Sequence, residues 1–289
     1  MHTELLDTAV AASRLGAEIV TRYFRSAALD VRCKGENDFV TRADRESEAA
    51  IVAEIRRRHP GHRILAEESG ASGGDGGGAG ATGGDGDYEW LIDPLDGTTN
   101  FLQGLPVYCV SIACRRGGEV LAGVVNDPAG ANLFAGTAGG GAFWNGARME
   151  TSRQPGLSGA FLATGYPFRA HATIDLYLAV FRDVFLQAKA VRRCGAAALD
   201  LAYTAAGVYD GFFEFRLSPW DIGAGVLLVR EAGGRVTDLD GGQRFFRSGN
   251  VVAGGPAVQR ELEAAVRRHA GEEALDRVSP LSRPELAAR

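Results

Sequence analysis

The segment Asp93-Pro94-Leu95-Asp96-Gly97-Thr98-Thr99-Asn100 holds two carboxylates three positions apart, directly after the apolar run Trp90-Leu91-Ile92. Pro94 stiffens the backbone there, and Gly97 lets it approach a ligand closely. A turn of this composition can aim both carboxylates at one point and leave the N–H groups of Gly97 and Thr98 free. Hard divalent cations such as Mg²⁺ take oxygen ligands, and exposed backbone amides take phosphate oxygens. Metal plus phosphate is the chemistry the segment suits. The alternative is an Asx-type surface turn, in which Asp, Gly and Thr are all common.

Other acids stand at comparable positions. Glu67-Glu68-Ser69 follows the apolar pair Ile64-Leu65; paired glutamates at a loop entrance are often simply solvated, but these lie just upstream of the Asp93 strand. Ser218-Pro219-Trp220-Asp221 has the form of a capping box with Pro at the first helical position. A helix N-terminus is also where a phosphate or a metal–phosphate cluster sits, so both readings of Asp221 stand. Thr41-Arg42-Ala43-Asp44 reads as a second capping box, and spacing alone favours the cap. Glu214 ends the aromatic run Phe212-Phe213-Glu214-Phe215; strand alternation directs it to solvent and places Arg216 on the same face. Other chemistries lack support. The chain has no GxSxG, no HExxH and no strand–GxGxxG–helix fingerprint, and its five His are scattered.

These residues need elements to hold them. Apolar spacing predicts a first amphipathic helix over 3–26 (Leu5, Leu6, Val10, Ala11, Leu15, Ile19, Val20, Phe24) and a second over 43–58, closed by His59-Pro60-Gly61. Residues 70–86 hold ten glycines in seventeen positions, which predicts a surface loop with no P-loop ending. Strands follow at Trp90–Ile92, Tyr108–Ala113, Val120–Val125, Leu133–Ala135 and Gly141–Trp144, with Gly117-Gly118 and Asn145-Gly146 as turn signals. From about residue 150 strands and helices alternate: a strand over 158–164, a helix over 174–188, a strand over 190–193 and a helix over 196–206. A strand at Phe212–Phe215 and a helix at Pro219–Ala232 come next, then short strands at 236–238 and 251–253 and a last helix over 256–269. This order predicts an α+β half over 1–150 with a mixed sheet and an α/β half over 151–270, with a cleft between them. Residues 271–289 read as a flexible tail.

Composition narrows the class. With 289 residues the chain can bury a core without staples. Hydrophobic residues make up 45% and charged residues 23%, which excludes disorder as the main state. A net charge of −5 argues against a nucleic-acid or anionic-membrane binder. Cys33, Cys109, Cys114 and Cys194 lack CxxC spacing and read as buried small hydrophobes in a reducing compartment. No basic n-region opens the chain and no apolar run reaches membrane length, so the expectation is a cytoplasmic protein.

Assembled in order, the motifs resemble the inositol monophosphatase family, the Mg²⁺-dependent, lithium-sensitive sugar-phosphate phosphatases, in its bacterial form. The resemblance rests on Lys34-Gly35-Glu36-Asn37-Asp38-Phe39-Val40-Thr41 with Asp44, on Ala66-Glu67-Glu68-Ser69, on Ile92 to Phe101, and on Trp220-Asp221-Ile222-Gly223-Ala224-Gly225. Thr164-Gly165-Tyr166-Pro167-Phe168 and Gly195 to Tyr203 add to it, and it runs from the first helix to about residue 270. It implies a layered α-β-α-β-α sandwich, two or three Mg²⁺ ions and a homodimer. As metal ligands it implies Glu67, Asp93, Asp96, Asp221 and the Leu95 carbonyl, with Glu67, Leu95, Asp96 and Asp221 also bordering the substrate. Thr98 and Asp44 would orient and activate water. The Gly97 and Thr98 amides would bind phosphate, and Glu214 with Gly195, Ala196 and Ala197 would face sugar hydroxyls. The implied reaction is hydrolysis of a myo-inositol monophosphate. Fructose 1,6-bisphosphate, histidinol phosphate and a 3′-phosphonucleotide are the alternatives in kind, and a non-catalytic interaction protein is the alternative in class. Ala196 departs from the family, which often carries a hydroxyl residue there.

Overall fold

The computed structural model describes residues 2–26, 29–35, 38–72, 87–166 and 173–270. Helix α1 (Thr3–Tyr23) and a small hairpin, β1 (Arg32–Gly35) with β2 (Asp38–Val40), precede helix α2 (Arg42–Arg58). Next come β3 (Arg63–Ala66), β4 (Gly70–Ser72), β5 (Tyr88–Asp96) and the short helix α3 (Thr98–Leu102). A meander follows: β6 (Cys109–Arg116), β7 (Glu119–Asp127), β8 (Asn132–Thr137), β9 (Gly141–Trp144) and β10 (Ala147–Arg148). Strands β3 to β10 form one sheet in the order β10-β9-β8-β7-β6-β5-β3-β4. Every neighbouring pair is antiparallel except β3 with β5, which run parallel.

The rest of the chain supplies β11 (Phe161–Thr164), α4 (Ile174–Phe185), β12 (Ala190–Arg192), α5 (Ala197–Ala205) and β13 (Gly211–Glu214). It ends with α6 (Pro219–Glu231), β14 (Arg235–Thr237), α7 (Phe245–Ser248), β15 (Val251–Gly254) and α8 (Pro256–His269). The second sheet has the order β12-β11-β13-β15-β14, parallel from β12 to β13 and antiparallel beyond. Helices α1 and α2 cover the outer face of the large sheet. Helices α5 and α6 fill the space between the sheets, and α4 and α8 cover the far face of the small one. This is the α-β-α-β-α layering expected.

Alternation along the strands explains the layers. On β5, Trp90 and Ile92 point into the cluster under α1 and α2, while Leu91 points into the middle layer with Leu201, Ile222 and Leu228. On β13, Phe212 faces the middle layer and Phe213 the outer one, with Tyr177 and Leu262. Helix α6 touches both sheets, so every residue from Trp220 to Val229 is buried, as a helix apolar all round must be. On α1 the buried face is small: Ala9, Ala12, Ser13, Gly16 and Ala17 let α2 pack close, and Leu15, expected inside, is 41% exposed.

Several expectations need correction. Residues 70–72 are not loop but strand β4, paired antiparallel with β3; the other glycine-rich residues, 73–86, lie outside the described residues, as does the tail 271–289. The segment from Asp93 to Asp96 is not a turn after a strand, because β5 continues through it. Hairpin β1–β2, helices α3 and α7 and strand β10 carry no periodic signal and were not expected. Cys109 and Cys114 are buried and Cys194 is partly so, while the side chain of Cys33 lies outside the described residues.

Candidate active site

The parallel register of β3 and β5 sets Ala66 against Ile92. The next residue on each strand, Glu67 and Asp93, therefore comes to the same place, and the Glu67 N–H donates to the Ile92 carbonyl at 3.1 Å. Opposite β6, Asp93 pairs with Ser111 and Asp96 with Cys109, so three steps on β5 meet two on β6. This is a β-bulge, which re-aims side chains. Regular alternation would send Asp93 and Asp96 to opposite faces; the bulge brings Asp93, Leu95 and Asp96 to one cavity of ≈ 330 Å³. Glu67, Gly97, Thr98 and Asp221 also line it, together with Gly195, Ala197 and Glu214. Asp44 and Ala196 are fully buried behind this lining.

Each acid is held by backbone donors. Asp93 Oδ1 accepts the Leu95 N–H at 3.0 Å, and Asp96 Oδ2 accepts the Ala198 N–H at the start of α5 at 2.7 Å. Asp221 Oδ2 accepts the Ser218 N–H at 2.7 Å, so it caps α6 while lining the cavity. Burial pushes Asp93 well above the usual carboxylate range, and the charges of Glu67, Asp96 and Asp221 push it further. Asp96 is pushed up to about 7 by burial and then by Asp221, against the pull of its two backbone donors. Among the described residues no three of these side chains already enclose a common point as ligands would. Four mutually repelling carboxylates and a nearby carbonyl nevertheless form an all-oxygen donor set. That set fits a hard divalent cation such as Mg²⁺.

Asp44 divides its two oxygens between two tasks. Oδ2 accepts the Thr41 N–H at 2.9 Å and the Thr41 hydroxyl, completing the capping box of α2. Oδ1 lies 3.3 Å from the Thr98 hydroxyl, which is also 3.0 Å from the Leu95 carbonyl. The cap and the reach into the site thus coexist. Gly97, the N-cap of α3, has φ +90°, and a Cβ there would stand 2.8 Å from the Val107 carbonyl oxygen. Asn100 ties α3 to the loop before α5, donating to the Val107 and Cys194 carbonyls at 2.8 Å each.

Glu214 does not point to solvent. It is 7% exposed, because the small sheet is covered on both faces and alternation there does not divide core from water. Burial raises its carboxyl well above the usual range, Asp200 and Asp221 raise it further, and Arg193 partly offsets them. Gly165 makes the room: a Cβ there would lie 2.0 Å from the Glu214 carboxyl group. Arg216 has φ +66° beyond the end of β13, so alternation does not relate it to Glu214, although both line the cavity.

Some contributors escaped the sequence reading. Arg193 lies at the cavity with its guanidinium 5.1 Å from the Tyr166 ring centroid. On α2, Ser47 Oγ donates to the Pro94 carbonyl at 3.0 Å, bracing the bulge. Glu48 accepts the N–H groups of Glu68 and Ser69 at 2.8 Å each. Asp44, Ser47 and Glu48 share one helical face at i, i+3 and i+4, and three polar groups on the buried side were the available signal.

The chain matches the inositol monophosphatase family over residues 1–272. It is 45% identical over 268 residues to the Nus factor SuhB of Escherichia coli strain K12, covering 92% of this chain and 97% of that one. It is 43% identical over 268 residues to the inositol-1-monophosphatase of Mesorhizobium japonicum, again with 92% and 97% covered. The crystal structure of extragenic suppressor protein suhB from Bartonella henselae superposes with a TM-score of 0.85 at 39% identity, covering 92% of this chain and 99% of that one.

Proposed function

The chain belongs to the inositol monophosphatase family, and from that premise we propose that it is a Mg²⁺-dependent phosphomonoesterase acting on a myo-inositol monophosphate. The observation that carries this reading is the meeting of Glu67, Asp93, Asp96 and Asp221 beside the Gly97–Thr98 turn in one cavity that Glu214 also lines. Glu67, Asp93, Asp96, Asp221 and the Leu95 carbonyl would hold two or three Mg²⁺ ions. When bound, Mg²⁺ supplies Lewis acidity that screens phosphate charge and eases loss of a proton from water.

The protein's own groups do the rest. The first-turn amides of α3 at Gly97 and Thr98 take phosphate oxygens. The Thr98 hydroxyl, donating to Asp44 Oδ1 or to the Leu95 carbonyl, keeps a lone pair that orients the attacking water, and Asp44 Oδ1 draws off the proton through it. Water adds to phosphorus as the ester P–O bond breaks, the departing oxygen takes a proton from a solvent water, and the alcohol and inorganic phosphate leave while Asp44 returns its proton to solvent. Glu214 accepts hydrogen bonds from hydroxyls of the leaving group, which favours a neutral polyol over a second phosphate. Replacing Gly165 with alanine drives a methyl into the space of the Glu214 carboxyl. We expect KM to rise about tenfold with a smaller change in kcat, as for loss of a substrate-orienting contact; unchanged KM would remove Glu214 from substrate binding.

Phosphate release with and without Mg²⁺ tests the reading on four esters side by side: myo-inositol 1-phosphate, fructose 1,6-bisphosphate, histidinol phosphate and a 3′-phosphonucleotide. Preference for the inositol ester supports reaction and substrate together. Preference for another ester keeps the reaction and moves specificity to Arg193 and Arg216. No release from any of them overturns the reading. The name Nus factor borne by the E. coli relative supports a second reading, in which the fold serves as a factor in an assembly; silence across the four esters favours it.

Metal dependence also has a pH signature. Asp96 is raised to about 7 in the folded chain, and Asp93 moves the same way. Between the ordinary carboxylate value of about 4 and that raised value, the folded form binds more protons than the unfolded chain. The contribution of these acids to metal-free stability is therefore fully present below the ordinary carboxylate value and is lost as pH climbs through 7. Mg²⁺ binds the ionised set, so the rise in Tm on adding it should be larger at pH 8 than at pH 5. A rise of equal size at both would separate the acids from the metal.

A further inference from the structure

We propose that Glu48 is a positioning residue that latches the chain after β3 and so holds Glu67 against Asp93. The inference rests on the reading of Glu67 as a metal ligand. Glu48 is 5% exposed, and its two oxygens are divided between consecutive amides: Oε2 accepts the Glu68 N–H and Oε1 the Ser69 N–H, each at 2.8 Å. On its other side, Glu67 is tied through its own N–H to the Ile92 carbonyl. Three successive N–H groups, of Glu67, Glu68 and Ser69, are thus fixed by two separate partners. One is the central strand β5, and the other is a helix that also braces Pro94 through Ser47 and reaches Thr98 through Asp44.

A carboxylate suits this geometry: each of the two donors meets its own oxygen, and hydrogen bonds to a charged acceptor are stronger than neutral ones. Glutamine at this position offers one oxygen and turns an NH₂ group against an N–H. Just beyond Ser69 the chain enters β4, which pairs back onto β3, so the latch sits at the turn between the two strands.

The test uses the full-length protein and three readouts: the Mg²⁺ concentration giving half of the Mg²⁺-induced rise in Tm, hydrogen exchange at the Glu68 and Ser69 amides, and kcat at saturating Mg²⁺. In Glu48→Gln we expect the half-saturating Mg²⁺ concentration to rise about tenfold or more, as when a group orienting a metal ligand is lost. The two amides should exchange faster, and kcat at saturating Mg²⁺ should stay within about threefold. Asp210→Asn is the control. Asp210 accepts the Phe161 N–H at the end of β11 away from the cavity, so its loss should lower Tm without moving the Mg²⁺ midpoint. Should Glu48→Gln not fold, Glu48→Asp, one methylene shorter, is measured in the same way. Faster amide exchange with an unchanged Mg²⁺ midpoint overturns the proposal, as does rapid exchange of these amides in the parent. A parent that gains no stability from Mg²⁺ overturns the metal-site reading itself, and the two failures are told apart by that parental measurement.

Discussion

Replacing Asp93 with asparagine should cut Mg²⁺-dependent phosphate release at least about a hundredfold, the scale of losing a principal electrostatic stabiliser of the transition state. Asp93 stands where β3, β5 and α6 bring their acids together, and the charges of Glu67, Asp96 and Asp221 all act on it. Asparagine keeps the oxygen that accepts the Leu95 N–H and removes the charge. The fold should not suffer. A buried carboxylate under repulsion from three neighbours destabilises the metal-free protein, so Tm in EDTA at pH 8 should equal or exceed that of the parent. Phosphate release and thermal unfolding on the same preparation check both halves. More than about a tenth of parental turnover would remove Asp93 from the essential set.

Asp44→Asn should lower kcat about a hundredfold or more, within the range for a positioned proton acceptor, and leave the Mg²⁺ midpoint within about threefold. The cap complicates this variant, since Asp44 also serves the N-terminus of α2. Thr41→Ala separates the two tasks. It removes the capping hydroxyl at a cost of about 1 kcal/mol and leaves Asp44 Oδ1 facing Thr98. If the two variants lose stability alike but only Asp44→Asn loses turnover, the catalytic task is distinct from the cap. Equal losses of turnover would reduce Asp44 to a structural role.

Much of the site could be read from the residues. Asp93, Asp96, Glu67 and Asp221 follow apolar runs or open helices, where chain direction alone exposes an acid. What escaped has physical reasons. A bulge and a turn draw on the same Pro, Gly and Asp, so the segment from Asp93 to Asp96 did not declare that β5 runs on through it. Glu214 was sent to solvent by a rule that holds only when one face of a sheet is wet. Glu48 sits in Asp44-Arg45-Glu46-Ser47-Glu48, a run that reads as a solvated helix face; only the packing of α2 on β5 turns three of those residues inward. The layers were legible because alternation and helical spacing are local, whereas the residues that brace the ligands depend on contacts between distant elements.

Helix α6 has a bearing on the order in which the molecule can be made. During synthesis the large sheet emerges first, carrying Glu67, Asp93 and Asp96, and at that stage these acids can remain hydrated. Asp221 arrives much later, on the helix whose Ile222, Leu228 and Val229 close the middle layer. Docking α6 encloses the carboxylates and buries its own apolar surface together, so apolar burial offsets the cost of taking those acids out of water. A nascent or truncated chain that stops short of this helix holds three of the four acids and lacks the helix that closes the middle layer, so the hydrolysis proposed for this site would need the finished molecule.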